Sequence, residues 1–183
     1  METHALARLR AGLGHTWLIV LFGILYLVSQ ATILAIVEPL GSSLARLQLL
    51  GFSAETYRAV FREWQEAGLL DVYRSHFSVD DAHWLWYSGL FTALLCRLFE
   101  RERIPHRRDW ILLLPVASGL LDAFENRIQH IFLSAPDFSR IVDPLPLLST
   151  LASIAKWTLA ACYVSIAAWL LARRRRPGRD PGA

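Results

Sequence analysis

Long apolar runs alternate along the chain with shorter polar connections. Residues 18–37, 84–99, 110–133 and 145–172 are dominated by Leu, Ile, Val, Ala, Phe and Trp. Each run is close to the ~20 residues that a helix needs to cross ~30 Å of hydrocarbon. The pattern predicts four transmembrane helices. Arg8 and Arg10 precede the first run, as in a signal peptide, but its apolar core exceeds the roughly 7–15 residues of such a segment. No small-x-small site follows it, so the run is expected to stay as an uncleaved first span.

Between the first and second runs the period changes. In GFSAETYRAVFREWQEAG, Tyr57, Val60, Phe61 and Trp64 recur at helical spacing opposite Arg58, Arg62, Glu63 and Glu66. Ser53 is a start signal and Gly68 a stop. An amphipathic helix is expected in this outward-facing loop, either lying on the membrane surface or capping the bundle, with a substrate-recognition lid as the alternative. Beyond it, Tyr73, Asp80 and Tyr87 are spaced by sevens, which on a continuous helix makes one stripe leading into the second span. Trp84 and Trp86 mark the interface, where aromatic belts form.

Composition fits this reading. With 183 residues, 54% of them hydrophobic, and a mean hydropathy of +0.34, the chain lies above the usual soluble range. A single all-α integral membrane domain over 1–176, a four-helix transmembrane bundle, is expected, with 177–183 as a disordered tail. The arginines orient it. Arg8 and Arg10, then Arg97, Arg101, Arg103, Arg107 and Arg108, then Arg173 to Arg176 and Arg179, belong on one side, because the connections 38–82 and 134–144 are poorer in Arg for their length. Both termini are therefore expected in the cytoplasm, with the protein in the inner or plasma membrane. The basic tail and a pI near 9.2 fit a topology determinant that also holds anionic lipid headgroups, and no nucleic-acid partner is expected. Cys96 and Cys162 fall near the inner ends of spans two and four, where small buried thiols are expected rather than a redox pair.

One stretch breaks the apolar pattern. GLLDAFENRIQH, residues 119–130, lies within the third run, and at 100° per residue Asp122, Glu125, Asn126 and Gln129 share one helical face. Arg127 points nearly the opposite way and is expected to snorkel to the outer headgroups. Of 19 basic residues only Lys156 is a lysine, and it lies inside the fourth run with Ser149, Ser153 and Tyr163 on its own face. Counting ~1.5 Å per residue from the outer ends, Asp122, Glu125 and Lys156 reach similar depths, ~12 to 17 Å below the outer surface. On the first span Gly23, Tyr26 and Gln30 form a matching stripe. An ionised side chain at mid-membrane costs about 2.5–3.5 kcal/mol on insertion scales, so pairing or water access is required. A polar pocket is expected in the outer half of the bundle. Its candidate binding residues are Asp122, Glu125, Asn126 and Lys156, joined by Asp80, Tyr87 and Tyr73 from the second span and Gln30 from the first.

The order Tyr73-x6-Asp80-x6-Tyr87, then Pro115 leading into D122-x-x-E125-N126, then a lysine in the last span, resembles a group of small four-span bacterial membrane proteins of uncharacterised function. The resemblance covers roughly residues 52–160. It places a proline where Trp84 stands here, and it implies architecture and site position but no reaction.

Three functions compete. Asp122, Glu125, Asn126 and Lys156 form a closed network that fixes helix register or holds a membrane-protein partner. Alternatively, Asp122, Glu125 and Asp80, with the Gln30 and Asn126 amides, bind or transport a cation, a proton or a small amphiphile, with lipid as the surrounding partner. Thirdly, Glu125 and Lys156 act as an acid–base pair on a lipid-like substrate, with Tyr73 or Tyr87 as donor. Enzymatic chemistry is the less favoured direction, because neither a G-x-S-x-G nucleophile motif nor an H-E-x-x-H metal motif is present. No cofactor or metal is expected. His83 and His130 leave a bis-His haem, or a metal shared with Glu125, as a geometric alternative.

Overall fold

The computed structural model describes residue 8 and residues 10–173, so the tail 177–183 and most of the C-terminal arginine cluster lie outside the described residues. Every element among the described residues is helical. In chain order they are α1 (Thr16–Val37), α2 (Ser42–Leu50), α3 (Ala54–Glu66), α4 (Leu70–Arg101), α5 (Leu114–Leu133) and α6 (Leu145–Ala172), with 3₁₀ segments at Glu38–Leu40 and His106–Leu113.

Two stretches are long and apolar enough to cross a membrane: Thr16–Leu40, with a mean hydropathy of 2.3, and Leu145–Ala172, with 1.5. The other two apolar runs fall short of that standard for different reasons. Within its 20 residues α5 carries Asp122, Glu125 and Arg127. The third run is also not one helix, because His106–Leu113 forms a 3₁₀ segment and the α-helix begins at Leu114 with Pro115 in its first turn. A proline is tolerated there because the first N–H groups of a helix have no intrahelical acceptor. On α4 the apolar run 84–99 is shorter than ~20 residues, but the helix itself is continuous over 32 residues, about 48 Å, so Tyr73, Asp80 and Tyr87 do share one rod.

α1 lies along α4, α4 packs on α5, and α5 packs along α6, while α1 has no extensive packing on α5 or α6. Two apolar cores result. At the end formed by α2, α3 and the loop 134–144, Tyr57, Phe61, Trp64, Tyr73, Phe132 and Phe138 interlock. At the opposite end Leu95, Leu98 and Phe99 of α4 meet Tyr163, Ala167 and Leu170 of α6. Buried polar side chains lie between the two.

α3 is amphipathic, and its start and stop have simple causes. The Ser53 hydroxyl accepts the Thr56 N–H at 3.2 Å, and the turn into α4 runs through Gly68 at φ +72°, a conformation open to glycine without a Cβ clash. Its apolar face is buried inside the protein, with Tyr57, Val60, Phe61 and Trp64 almost solvent-free. The Trp64 indole N–H donates to Ser43 Oγ at 2.8 Å, which ties α3 to α2.

At the other end arginine acts as a clasp. Arg10 is buried, with Nε 2.6 Å from Glu100 Oε1 and Nη1 donating to Asp109 Oδ1 and to the Ile104 carbonyl, both at 2.9 Å. Arg101 donates to the Leu170 carbonyl near the end of α6. Cations beside helix C-termini satisfy the last carbonyls and complement the helix dipole. Of the two cysteines, Cys96 is buried and Cys162 is exposed, and both are free thiols.

Candidate functional site

The site begins with α5. Helical periodicity turns Ser118, Asp122, Glu125, Asn126 and Gln129 inward, all of them buried, and leaves Arg127 exposed on the far side. Close approach to α4 is permitted by Gly119, where an added Cβ would lie 3.2 Å from the Trp84 carbonyl oxygen and closer still to the Ser88 hydroxyl. Ser88 Oγ donates to the Pro115 carbonyl at 2.9 Å, and Ser118 Oγ donates to the Lys156 carbonyl at 3.0 Å. α5 is thus held to both neighbouring helices by hydroxyl-to-carbonyl bonds.

Lys156 supplies the positive charge. Its Nζ donates to Asp122 Oδ1 at 2.5 Å and stands 2.7 Å from Glu125 Oε2. The second contact is an ion pair outside hydrogen-bond geometry. The three side chains are 8%, 4% and 2% exposed, so the charges meet where water screens them little. The Tyr87 hydroxyl donates to Asp122 Oδ2 at 3.2 Å, and Asn126 Nδ2 donates to Asp80 Oδ2 at 2.9 Å. Deeper in the protein, Gln129 Nε2 donates to Ser149 Oγ at 2.8 Å and to the Tyr57 hydroxyl at 3.1 Å. Burial pushes the Tyr57 phenol above its ordinary value, a shift that the hydrogen bonds with Ser149, Thr150 and Gln129 oppose.

A cavity of about 300 Å³ opens beside this group, in the gap between α1 and α6. Asp80, Asp122, Lys156 and Tyr87 form part of its wall. Gln30 lines it from α1 and Gln48 from α2, while Ile33, Leu34, Phe91, Trp157, Ala160 and Val164 make the rest largely apolar. A small set of fixed polar groups in an otherwise apolar cleft is the usual composition of a small-molecule site, and the volume is at the lower end of the range for one.

The candidates from the sequence divide into three sets. Asp122, Lys156, Asp80, Tyr87 and Gln30 line the cavity. Glu125 and Asn126 stand behind it, the first against Lys156 and the second against Asp80. Tyr73 lies apart, packed in the aromatic core with its ring centroid 4.7 Å from that of Trp64 and 5.6 Å from that of Phe61. Its stripe with Asp80 and Tyr87 holds along α4, but α3 covers the Tyr73 end of that stripe.

Two histidines also line the cavity: His76, which the sequence did not single out, and His83, named there only with His130 as a haem or metal alternative. Among the described residues no carboxylate pairs with His83. Its Nδ1 is 2.8 Å from Ser29 Oγ, and its ring stacks on Tyr26 with centroids 5.4 Å apart. The available signal was spacing: His76 and Asp80, like His83 and Tyr87, are four residues apart and share a face. His130 pairs instead with Asp81, at 2.9 Å, away from His83. Among the described residues no group of three or more His, Cys, Asp or Glu side chains is placed to hold a metal.

No protein-family model, curated protein or solved structure matches the chain.

Proposed function

We propose that the chain is a multi-pass membrane protein, crossing the bilayer with α1, α4, α5 and α6, and that its cavity binds a small amphiphile. The exposure of its longest apolar helices supports the membrane part of this reading. Only 6% of the apolar window of α1 and 17% of that of α6 is buried, so these are not helices of a water-excluded protein core. Trp17, Ile24, Leu27 and Val28 on α1, Leu120 and Phe124 on α5, and Trp157 and Trp169 on α6 form apolar faces too extensive to leave in water. With four crossings, the arginine-rich segments fall on one side, which supports cytoplasmic termini.

One observation carries the binding reading: a cavity of about 300 Å³ lies directly against Asp122 and Lys156. Enclosing charges costs several kcal/mol per ion, and a purely structural network recovers this through close packing and hydrogen bonds, not through open space beside its charges. An amphiphile fits the division of the wall into carboxylates and ammonium on one part and Phe91, Trp157 and Val164 on another. The gap between α1 and α6 supplies a lateral entrance from lipid. Acid–base chemistry on the same ligand is a second reading, favoured by the Tyr87 hydroxyl that donates to Asp122 in the cavity wall.

Native mass spectrometry of the protein purified from membranes in mild detergent tests the binding reading. An amphiphile retained at one per chain is expected, and it should be absent from an Ala160→Trp variant, whose indole fills the cavity. A wild-type protein that is always empty, under conditions where other membrane proteins keep their lipids, overturns the proposal.

A further inference from the structure

Counted as formal charges, the ionisable groups around the cavity do not balance. Asp80, Asp122 and Glu125 stand about one ammonium, a formal surplus of two negative charges, and no arginine lines the cavity among the described residues. The donors that face these carboxylates are already committed. Lys156 serves Asp122 and Glu125, the Tyr87 hydroxyl serves Asp122, and the Asn126 amide serves Asp80.

The imidazoles add acceptors. Ser29 Oγ is 2.7 Å from the Leu25 carbonyl and 3.1 Å from the Tyr26 carbonyl, and a carbonyl only accepts, so the single hydroxyl proton is directed to the backbone. Towards His83 the Ser29 oxygen therefore accepts, which puts the ring proton on Nδ1. In the neutral ring Nε2 then carries a lone pair. His83 is 7% exposed, lines the cavity, and its Nε2 has no hydrogen-bond partner among the described residues. His76 repeats the arrangement, with Nδ1 donating to the Tyr73 carbonyl and Nε2 3.9 Å from Asp80 Oδ2. Asp80, His76 and His83 all line the cavity, so a carboxylate and two imidazoles bring acceptors to its wall. Gln30 and Gln48 are amides that serve either a donor or an acceptor.

We infer that the amphiphile is headed by an amine: a primary ammonium seated near Asp80 with its N–H groups directed to the His76 and His83 Nε2 atoms, and its alkyl portion along Phe91, Trp157 and Val164. This rests on the cavity being an amphiphile site and adds the chemistry of the head. An ammonium supplies both missing quantities, positive charge and three donors. A carboxylate or phosphate head meets a formal surplus of like charge that the neutral donors of the wall, the Gln30 and Gln48 amides, the Tyr26 and Tyr163 hydroxyls and the Trp157 indole, do not offset.

The test uses the full chain in nanodiscs and four probes of equal chain length: a twelve-carbon primary alkylamine, its trimethylammonium analogue, the alcohol and the carboxylate. Affinities are read by isothermal calorimetry after correction for partition into empty nanodiscs. The primary amine should bind at least about ten-fold tighter than the alcohol, a readily resolved difference, and tighter than the trimethylammonium analogue, which has the charge without the donors. In Asp80→Asn the advantage of amine over alcohol should shrink several-fold. The ligand series in the wild-type protein decides the matter even if that variant does not fold. Equal binding of amine and alcohol, or preference for the carboxylate, overturns the amine head while leaving an amphiphile site in place. Failure of all four probes to bind removes the amphiphile site and this inference with it.

Discussion

Lys156 and Asp122 meet at 2.5 Å across the interface of α5 and α6, each almost fully enclosed. The same ammonium reaches Glu125 one turn further along α5, so one cation holds two carboxylates that would otherwise repel each other. Removing it leaves two buried negative charges with no cation between them. A Lys156→Met variant should lose about 3–5 kcal/mol, the usual consequence of leaving one half of a buried pair behind. In detergent this appears as a marked fall in thermal midpoint. Replacing Asp122 with Leu and Glu125 with Met in the same chain should restore most of the midpoint, because the apolar triple removes the uncompensated charge. A triple variant no more stable than Lys156→Met contradicts the pairing.

The approach of α5 to α4 gives a second expectation. At Gly119 a methyl group would intrude on the Ser88 hydroxyl and come within 3.1 Å of the Trp84 ring, whereas at Gly23 on α1 its nearest neighbour is Leu90 Cδ1 at an ordinary 3.7 Å. Gly119→Ala should therefore lower stability by about 1–3 kcal/mol through overpacking. Gly23→Ala should be close to neutral or slightly stabilising, since alanine is the better helix former. Thermal midpoints of the two variants, measured side by side, separate a packing effect from a general sensitivity of glycine positions. Equal losses in both variants contradict the close approach.

How far the site was legible in the sequence follows from which residues rest on local periodicity and which on tertiary packing. Asp122, Glu125, Asn126 and Gln129 share a face because 3.6 residues make a turn, and that holds for any straight helix. Lys156 stood out as the one lysine in an arginine-rich chain, and the Ser53 and Gly68 signals bound α3 through local backbone chemistry. Tyr73 was grouped with Asp80 and Tyr87 by its spacing, yet nothing local says that α3 folds back over the N-terminal end of α4 and encloses its ring. His76 carried no comparable signal, and His83 stood out only as a haem or metal alternative with His130, because a histidine among interfacial aromatics is usually solvated. The Ser29 hydroxyl that orients His83 comes from a helix 54 residues away. The cavity is further still from the sequence, since it exists because α1 packs on α4 and leaves α6 uncovered.

Tyr57 connects α3 to the polar layer and gives a pH-dependent expectation. Its hydroxyl donates to Ser149 and accepts from Gln129, so Tyr57→Phe should lose about 1 kcal/mol at neutral pH. Burial raises the folded-state pKa above the unfolded value of about 10. Proton linkage then fixes the sign: the unfolded chain releases this proton first, and the stability contributed by the neutral phenol, complete below about pH 10, is lost as the pH rises further. The difference between wild type and Tyr57→Phe should therefore narrow on going from pH 8 to pH 11 in chemical denaturation. A difference that grows with pH would contradict a buried neutral phenol.

Four crossings and two crossings make opposite statements about particular residues. If only α1 and α6 span the bilayer, the connection containing Arg107 and the loop containing Arg140 both lie in the single stretch between two spans, and so on one side. With α4 and α5 also crossing, these two exposed residues lie on opposite sides, Arg107 in the cytoplasm and Arg140 outside. Arg107→Cys and Arg140→Cys, each in a background with Cys96 and Cys162 replaced by Ala, distinguish the two. A membrane-impermeant maleimide added to intact cells, or to spheroplasts where an outer membrane is present, should label the Arg140 position and leave the Arg107 position unlabelled until the membrane is permeabilised. Labelling of both from outside, or of neither, would reduce the protein to two spans and place α4 and α5 outside the hydrocarbon.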